Sequence, residues 1–395
     1  MSTQQELLAR YEASLLNVFG TPPLVISHGD GCYVWDADGR RYLDLLGGIA
    51  VNVLGHGHPA LVSAVSKQAA EVIHISNVFT SRPQIELAEQ LLRIAAAPTG
   101  SRVFFGNSGA EAIEAAIKLA RRTGRTGIVA AQGGFHGRTT GALALTYKEA
   151  YRTPFAPLIP GVSHVPFGDV DALAAAVTSD TGAVILEPIQ GEAGVIVAAA
   201  AYLRTAREIT SAAGALLILD EIQSGIGRTG RWFGHQHADI VPDAITVAKG
   251  LGGGVPIGAL ITYGEKVSGL LQPGQHGSTF GGNPLATAAG LAVLETIEEQ
   301  DLLGNALSLG QHLSARLGDG GVAGVTGSRG VGLLQAVTLT DPIAPAVALA
   351  ARLAGFIVNA VAPDALRLAP PLVLSVDQLD EFIDALPDIV AEATS

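Results

Sequence analysis

The chain has 395 residues, of which 48% are hydrophobic and 15% are charged, and its formal net charge is −12. This length and composition predict two or three domains with a large apolar core and exclude a disordered chain. The acidic balance disfavours binding to nucleic acid or to an anionic membrane surface.

The N-terminal sequence, MSTQQELLARYEASL, is polar and has no apolar signal core. No run of the chain approaches the ~18–20 apolar residues of a membrane span. Cys32 is the only cysteine, so no disulfide can form within the chain. We therefore expect a cytoplasmic protein without a membrane segment.

Residues 1–59 are expected to form an N-terminal segment that packs with the smaller of two domains. Its clearest feature is the stretch CYVWDADGRRYLDL, residues 32–45. This stretch predicts a β-hairpin with a turn at Asp38 and Gly39.

Residues 60–275 are expected to form a large α/β domain. Seven short apolar runs recur there: RVFFG, GIVAAQG, VSHVPFG, GAVILEP, ALLILDE, AITVAKG and GALITYG. Several lack polar alternation, which is typical of strands buried on both faces. Helical stretches lie between several runs, and this alternation predicts a mostly parallel, seven-stranded sheet between helices.

Residues 276–395 are expected to form a smaller α+β domain. Helical patterns at 284–299 and 301–317 lead to four short strand-like pieces, VAGVTG, GLLQAVTL, GFIVNA and ALRLAPPL. A helical pattern near 376–393 closes the chain.

The first candidate site is FFGNSGAEAIEAAIKLA, where a strand breaks and a helix begins at once. The strand breaks at Gly106, Asn107, Ser108 and Gly109, where free backbone N–H groups, a hydroxyl and the positive helix end suit a phosphate group. The alternative is an ordinary serine N-cap with Glu111 in the first turn.

A glycine-rich loop, GGFHGRTTGA, contains Phe135, His136 and Arg138. The aromatic ring of Phe135 could stack on a flat cofactor. The alternative is that Phe135 belongs to the core and Arg138 is a surface charge.

Two charged residues end neighbouring predicted strands. Asp220 ends ALLILDE, at the strand end where open α/β sheets bind ligands, and it could hold a cationic ring nitrogen. Lys249 ends AITVAKG, and a partly desolvated lysine is a nucleophile for Schiff-base chemistry. The glycines after Lys249 would let a planar group approach the backbone. The alternatives are a loop aspartate and a surface lysine.

Together these sites match the three contacts of one cofactor, pyridoxal 5'-phosphate. The helix start suits its phosphate, Asp220 its ring nitrogen and Lys249 its aldehyde, while Gln223 could reach the phenolic oxygen of its ring. No dinucleotide site is expected, because GIGRTG is not followed by a helix. No metal site is expected, because the His-x-His pairs in GHGHP and GHQHAD lack further ligands.

Six motifs in order resemble the class III aminotransferases: NSGAEA, FHGR, EPIQGEAGV, LILDEIQSGIGRTG, AKGLGGGVPIGA and HGSTFGGNP. The resemblance runs from about residue 20 to about residue 390. It implies a fold-type I transaminase with pyridoxal phosphate and a homodimer with shared active sites. It also implies transfer of the terminal amino group of N2-acetylornithine to 2-oxoglutarate, yielding glutamate, in arginine biosynthesis. The alternative donors are ornithine, succinylornithine and 4-aminobutyrate.

The resemblance also implies individual roles in cofactor binding. Lys249 matches the Schiff-base lysine, and Asp220 and Gln223 match the contacts to the ring. The other matched cofactor residues are Ser108, Gly109 and Ala110 at the phosphate, and Phe135 against the ring, with His136 beside it. Ser278 and Thr279 match a segment that enters the neighbouring subunit's site, where Thr279 meets the phosphate.

Three further residues match the family's device for accepting two substrates. Arg138 matches the arginine that holds the carboxylate far from the reacting amine. Arg367, in LRLAPPL, matches the arginine that binds the α-carboxylate of glutamate beside the ring. Glu192, in QGEAG, resembles the glutamate that masks Arg367 otherwise, because an unmasked buried guanidinium would be costly. The alternative for Arg367 is a surface charge on an edge strand.

Overall fold

The computed structural model describes residues 3–318 and 322–394. The helices are α1 (Thr3–Ser14), α2 (Gly47–Ala50), α3 (Pro59–Glu71), α4 (Arg82–Ile94), α5 (Gly109–Arg121), α6 (Thr140–Leu145), α7 (Glu149–Arg152), α8 (Val170–Ala176), α9 (Ala200–Ala213), α10 (Gly264–Ser268), α11 (Pro284–Glu299), α12 (Leu302–Leu317), α13 (Ala344–Ala354) and α14 (Val376–Thr394). Within these residues, no helix is long and apolar enough to cross a membrane.

The strands are β1 (Ile26–Asp30), β2 (Tyr33–Asp36), β3 (Arg41–Asp44), β4 (Arg102–Gly106), β5 (Gly127–Ala131), β6 (Val162–Val165), β7 (Thr181–Leu186), β8 (Ile189–Gln190), β9 (Ile196–Val197), β10 (Leu216–Asp220), β11 (Ala244–Val247), β12 (Gly258–Thr262), β13 (Val325–Val331), β14 (Leu334–Leu339), β15 (Phe356–Ile357), β16 (Asn359–Ala362) and β17 (Ala365–Leu368). Short 3-10 helices cover Thr153–Phe155, Gly234–His237 and Lys249–Gly252.

The seven predicted runs all form strands of one seven-stranded sheet, in the order β4-β12-β11-β10-β7-β5-β6. The prediction of a mostly parallel sheet is confirmed, since only β12 runs antiparallel to its neighbours β11 and β4. Because β12 lies between β11 and β4, these two strands have the same direction. The carboxyl ends of the six other strands therefore meet at one edge of the sheet.

The sheet is buried on both faces, as its continuous apolar runs predict. Every residue of β7, β10, β11 and β12 is buried. Side chains alternate between the faces along each strand. Ile218 packs in the apolar cluster of α5 with Ile113, whereas Leu217 packs in the cluster of α9 with Leu203. Because helices pack on both faces of the sheet, the ends of its strands, which carry the polar residues, are held in place.

The predicted hairpin is present, with β2 and β3 antiparallel and Gly39 at a φ of +86° in the turn. Strand β3 also pairs in parallel with β15. The N-terminal segment thus shares the sheet β1-β2-β3-β15 with a strand of the C-terminal region, next to the sheet β13-β14-β17-β16. The domain limits at residues 59 and 275 stay a prediction.

Arg228 joins the loop that follows β10 to the C-terminal sheet. Its side chain is 1% exposed and donates hydrogen bonds to the carbonyl oxygens of Leu333, at 3.2 Å, and Pro370. The backbone of Arg228 also accepts a hydrogen bond from the Leu333 amide at 2.9 Å. Burial lowers the pKa of Arg228 to about 9. Among the described residues no carboxylate pairs with this guanidinium, so carbonyl dipoles hold the junction.

Candidate active site

A cavity of about 340 Å³ lies where the carboxyl ends of the strands meet. Residues that follow five different strands line it: Ser108, Gly109 and Ala110 after β4, Phe135 and His136 after β5, Glu187 after β7, Asp220 and Gln223 with β10, and Lys249 after β11. The structure therefore brings together, at one cavity, eight of the residues that the sequence predicted for a cofactor.

Asp220 is buried, and its carboxylate is hydrogen-bonded on both oxygens. Its Oδ2 lies 2.7 Å from Nδ1 of His136, and its Oδ1 accepts hydrogen bonds from the Ile222 amide at 3.1 Å and the Thr246 hydroxyl at 3.2 Å. Burial alone would lower the pKa of His136, but the hydrogen bond and charge of Asp220 outweigh burial and raise it. His136 thus hydrogen-bonds Asp220 directly, and the sequence did not indicate this contact.

Lys249 is a desolvated amine in a strained backbone position. Burial lowers its pKa to about 8, against the opposing effect of Glu192, Asp220 and Glu187. Its φ is +40°, which is uncommon for a residue other than glycine. Strained backbone of this kind is concentrated at functional sites, where the surrounding structure enforces it.

The glycines after Lys249 mainly serve packing, contrary to the sequence-based expectation. A side chain at Gly250 would collide with Val53, and one at Gly253 would collide with Val293. Only Gly254 of this group lines the cavity. The close approach of neighbouring side chains to this loop therefore explains most of the cluster.

Ser108 occupies the N-cap of α5, and its hydroxyl accepts a hydrogen bond from the Glu111 amide at 3.2 Å. The amides of Gly109 and Ala110 lie in the first turn, where no intrahelical acceptor exists. These amides and the positive helix end face the cavity. The N-cap and the anion site are thus compatible, and the two interpretations of the sequence do not compete.

Glu187 is a functional candidate that the sequence analysis missed. It is 5% exposed, lines the cavity and accepts a hydrogen bond from the Phe135 amide at 3.0 Å. Burial raises its pKa to about 8. The signal was available, since the glutamate of GAVILEP follows a buried strand as Asp220 ends one.

Arg367 is buried in β17 and 1% exposed, so the alternative of a surface charge is wrong. Its Nη1 donates to the Glu192 carboxylate and, at 3.2 Å, to Oε1 of Gln223, while Nη2 donates to Oδ1 of Asn359 at 2.8 Å. Burial alone would raise the pKa of Glu192, but the charge and hydrogen bond of Arg367, together with Lys249 and Gln223, outweigh burial and lower this pKa. Gln223 also donates to Glu192 at 3.3 Å, so its amide bridges the ion pair.

Arg138 is exposed and lies over aromatic rings. Its Cζ is 3.5 Å from the ring centroid of Tyr151 and 5.7 Å from that of Phe135. In the described parts of the chain its guanidinium has no hydrogen bond or ion pair. Phe135 and Tyr151 both line a second cavity, of about 710 Å³, which also reaches Glu192. Phe135 therefore separates the cavity of Lys249 from this outer cavity.

Ser278 and Thr279 differ in their placement. The Ser278 hydroxyl accepts hydrogen bonds from the Asn107 side chain at 2.9 Å and the Gly281 amide at 3.0 Å, and Asn107 lines the cavity of Lys249. Thr279 instead lines a separate small pocket with His74. Within one chain, Thr279 does not reach the cavity that contains its predicted ligand.

The sequence model of the class III aminotransferase family matches residues 17–390. The acetylornithine aminotransferase of Mycolicibacterium smegmatis is 56% identical over 387 residues, which cover 98% of each chain. That of Streptomyces coelicolor is 52% identical over 392 residues, which cover 99% of this chain and 97% of the relative.

Solved structures have the same fold. The ornithine aminotransferase of Toxoplasma gondii, crystallized with partial occupancy of pyridoxal phosphate at its active site, has a TM-score of 0.92 at 31% identity, covering 100% of this chain and 97% of that one. The acetylornithine aminotransferase of Elizabethkingia anophelis has a TM-score of 0.86 at 30% identity, covering 99% and 100%. This confirms the predicted fold-type I architecture. The chain therefore belongs to the class III aminotransferases, which are transaminases that depend on pyridoxal 5'-phosphate.

Proposed function

We propose that the chain transfers the terminal amino group of N2-acetyl-L-ornithine to 2-oxoglutarate, giving N-acetyl-L-glutamate 5-semialdehyde and L-glutamate, a step of arginine biosynthesis. The observation that carries this proposal is the pairing of a free guanidinium, Arg138, with a masked one, Arg367. Tyr151, which contacts Arg138, and Glu192, which masks Arg367, line the same outer cavity. Relatives up to 56% identical are named acetylornithine aminotransferases, which supports this donor.

The cavity residues fit pyridoxal phosphate in charge and shape. The N-terminus of α5 offers amides for the phosphate, Asp220 offers an anion for the ring nitrogen, and Lys249 offers an amine for the aldehyde. We assign cofactor binding to Ser108, Gly109, Ala110, Phe135, His136, Asp220, Gln223 and Lys249, with Thr279 from a neighbouring subunit. When bound, the cofactor supplies an electron sink for bond cleavage at the carbon that carries the amine.

Lys249 is proposed to act as nucleophile and as base. With its pKa at about 8, about a tenth of the amine is neutral at pH 7, against roughly three in ten thousand at a pKa of 10.5. The neutral Nζ can remove a proton from the reacting carbon and hold it until it is returned. Asp220 lines the same cavity, and three donors converge on its carboxylate and fix its orientation.

The two arginines are proposed to divide the two substrates. Acetylornithine presents the amine on C5, so its carboxylate lies several bonds away and meets Arg138. Glutamate presents its α-amine, so its α-carboxylate lies beside the reacting carbon and requires Arg367, which Glu192 must release. In this scheme Ser278 binds substrate at the neighbouring subunit's site, and within one chain its hydroxyl accepts a hydrogen bond from Asn107.

We further propose that the chain acts as a homodimer in the cytoplasm. Apolar side chains next to Thr279 and on the adjacent segment are exposed: Val78 at 81%, Phe79 at 70% and Phe280 at 59%. Exposed apolar surface of this kind favours a protein interface, and a second copy would cover it. The single cysteine, Cys32, suits a reducing compartment.

A donor panel tests the proposal. The purified protein, loaded with pyridoxal phosphate, is assayed with 2-oxoglutarate and each of N2-acetylornithine, N2-succinylornithine, ornithine and 4-aminobutyrate. We expect kcat/KM to be highest for acetylornithine, and a clear preference for another donor would overturn the substrate while leaving the transaminase assignment intact.

A further inference from the structure

We infer that Tyr151 is a positioning residue that presents Arg138 to the carboxylate of the substrate. This inference rests on the proposed function. The centroid of the Tyr151 ring lies 3.5 Å from Cζ of Arg138 and 4.9 Å from Nζ of Lys148. The face of a tyrosine ring attracts a guanidinium electrostatically and holds it in place.

An aromatic face holds a guanidinium without using its N–H groups. Arg93, on another surface, donates through Nη1 and Nη2 to the Glu298 carboxylate at 3.0 and 2.8 Å, so its donors are engaged. Arg138 has no such partner in the residues that the structure describes. Its five donors therefore remain available for an incoming carboxylate, which binds best in a bidentate manner.

The backbone that carries Arg138 is fixed separately. Oε1 of Glu114 accepts hydrogen bonds from the Thr139 hydroxyl at 2.5 Å, the Gly141 amide at 2.9 Å and the Ala142 amide at 3.1 Å. The carboxylate that faces this loop is thus occupied by the start of α6. It anchors the residues after Arg138 and leaves the guanidinium to Tyr151.

Tyr151 is itself oriented by Phe135, whose ring lies 6.5 Å away in an edge-to-face arrangement. Phe135 lines the cavity of Lys249, and both rings line the outer cavity. The series Phe135, Tyr151, Arg138 therefore sets the distance between the reacting amine and the cation that receives the remote carboxylate. A donor of the wrong length would not satisfy both ends.

The inference is tested with Tyr151→Ala and Tyr151→Phe on two donors that differ only in the carboxylate. N2-acetylornithine carries it, and N-acetylputrescine lacks it. Loss of the ring in Tyr151→Ala should raise KM for acetylornithine about five- to tenfold with kcat little changed. Tyr151→Phe keeps the face and should stay within about twofold of the wild type. Turnover of N-acetylputrescine should be the same in all three proteins.

Tyr147→Ala is the matched control, because Tyr147 lines the same outer cavity but contacts His164, in a tilted arrangement with ring centroids 5.6 Å apart, rather than Arg138. We expect this variant to have wild-type KM values for both donors. Thermal unfolding and the absorbance of bound cofactor report whether each variant folds.

Equal damage to both donors in Tyr151→Ala would assign the ring a merely structural role, and unchanged KM for acetylornithine would show that the ring does not position Arg138. If the wild type rejects acetylornithine, the proposed function fails but this inference is still tested. Arg138 then meets the side-chain carboxylate of glutamate, so L-glutamate is compared with L-2-aminobutyrate. Tyr151→Ala should weaken only the former.

Discussion

The two arginines that we propose to bind substrate carboxylates lie in opposite environments. Arg367 is 1% exposed and surrounded by acceptors from Glu192, Gln223 and Asn359. Arg138 is exposed, rests on the ring of Tyr151 and has all its donors free among the described residues. A buried guanidinium without a partner would be very unfavourable, whereas an exposed one is solvated by water.

In the proposed function, this difference lets one site accept two carboxylates at different distances. The exposed guanidinium is ready for any substrate whose carboxylate reaches it. The buried guanidinium becomes available only when an incoming α-carboxylate replaces Glu192 at similar electrostatic cost. Substrates without that group leave the ion pair intact, so the same residues serve both halves of the reaction.

The largest effect is expected from removal of Lys249, the reacting amine in both proposed half-reactions. Lys249→Ala should slow both half-reactions at least about a thousandfold, because no other amine can act as nucleophile and base there. Single-turnover absorbance changes with acetylornithine and with glutamate measure this. Lys266→Ala, at an exposed lysine of α10, is the control. A half-reaction that survives in Lys249→Ala would contradict the common centre.

Removal of the buried guanidinium of Arg367 tests whether the two arginines have different roles. Arg367→Ala should slow the glutamate half-reaction about ten- to a hundredfold and largely spare the acetylornithine half, because a charge-assisted bidentate contact is lost only for glutamate. The measurement is single turnover with one substrate at a time. Equal loss in both halves would leave Arg367 with a structural role.

Removing the exposed guanidinium should give a different pattern. Arg138→Ala is expected to slow both half-reactions about tenfold, since glutamate also places its side-chain carboxylate there. KM should rise in both halves with little change in thermal stability, because an exposed side chain is lost. An effect confined to one substrate would break the proposed division of roles.

Glu192→Ala tests the masking of Arg367 directly, because it removes the carboxylate that pairs with the buried guanidinium. Glutamate should then compete about three- to tenfold better against acetylornithine, since it no longer has to displace a carboxylate. The thermal midpoint should fall, because Arg367 loses its main counter-charge. Competition assays and thermal unfolding test the two effects, and unchanged competition would show that Glu192 is not a mask.

The smallest expected effect is on pH dependence. Because burial lowers the pKa of Lys249 to about 8, its neutral form predominates above that pH, and covalent attachment of pyridoxal phosphate to the apoenzyme should quicken about fivefold from pH 7 to pH 8. Glu192 raises this pKa and Arg367 lowers it. The profile should therefore move to lower pH in Glu192→Ala and to higher pH in Arg367→Ala, but stay unchanged in Arg138→Ala.

The pattern of apolar residues along the sequence predicted those parts of the fold that depend only on which residues are buried. All seven apolar runs became strands of the main sheet, and Asp220 and Lys249 were found because each charge stands at the end of such a run. Helices α3 and α4 were not singled out from the sequence. In α3 only Gln68 is buried, so this helix lacks a continuous apolar face that a pattern could reveal.

Contacts that depend on register or on side-chain direction could not be predicted. Asn359 contacts Arg367 because β16 and β17 pair these two residues directly, and nothing local specifies that register. The hydrogen bond from His136 to Asp220 and the ring of Tyr151 beneath Arg138 join segments by tertiary packing. The roles of the site residues came from the family resemblance rather than from spacing, and they stay predictions.

The hydrogen bonds of Arg228 have a consequence for the speed of substrate exchange. They are made with Leu333 and Pro370, just beyond the strand that carries Arg367. These hydrogen bonds join the loop after Asp220 directly to the segment that follows the strand of Arg367. In the proposed scheme, release of Arg367 requires only rotation of the part-exposed Glu192 side chain, a motion of picoseconds to nanoseconds, rather than a domain movement of microseconds to milliseconds. Alternation between the two substrates should therefore add no slow step to turnover.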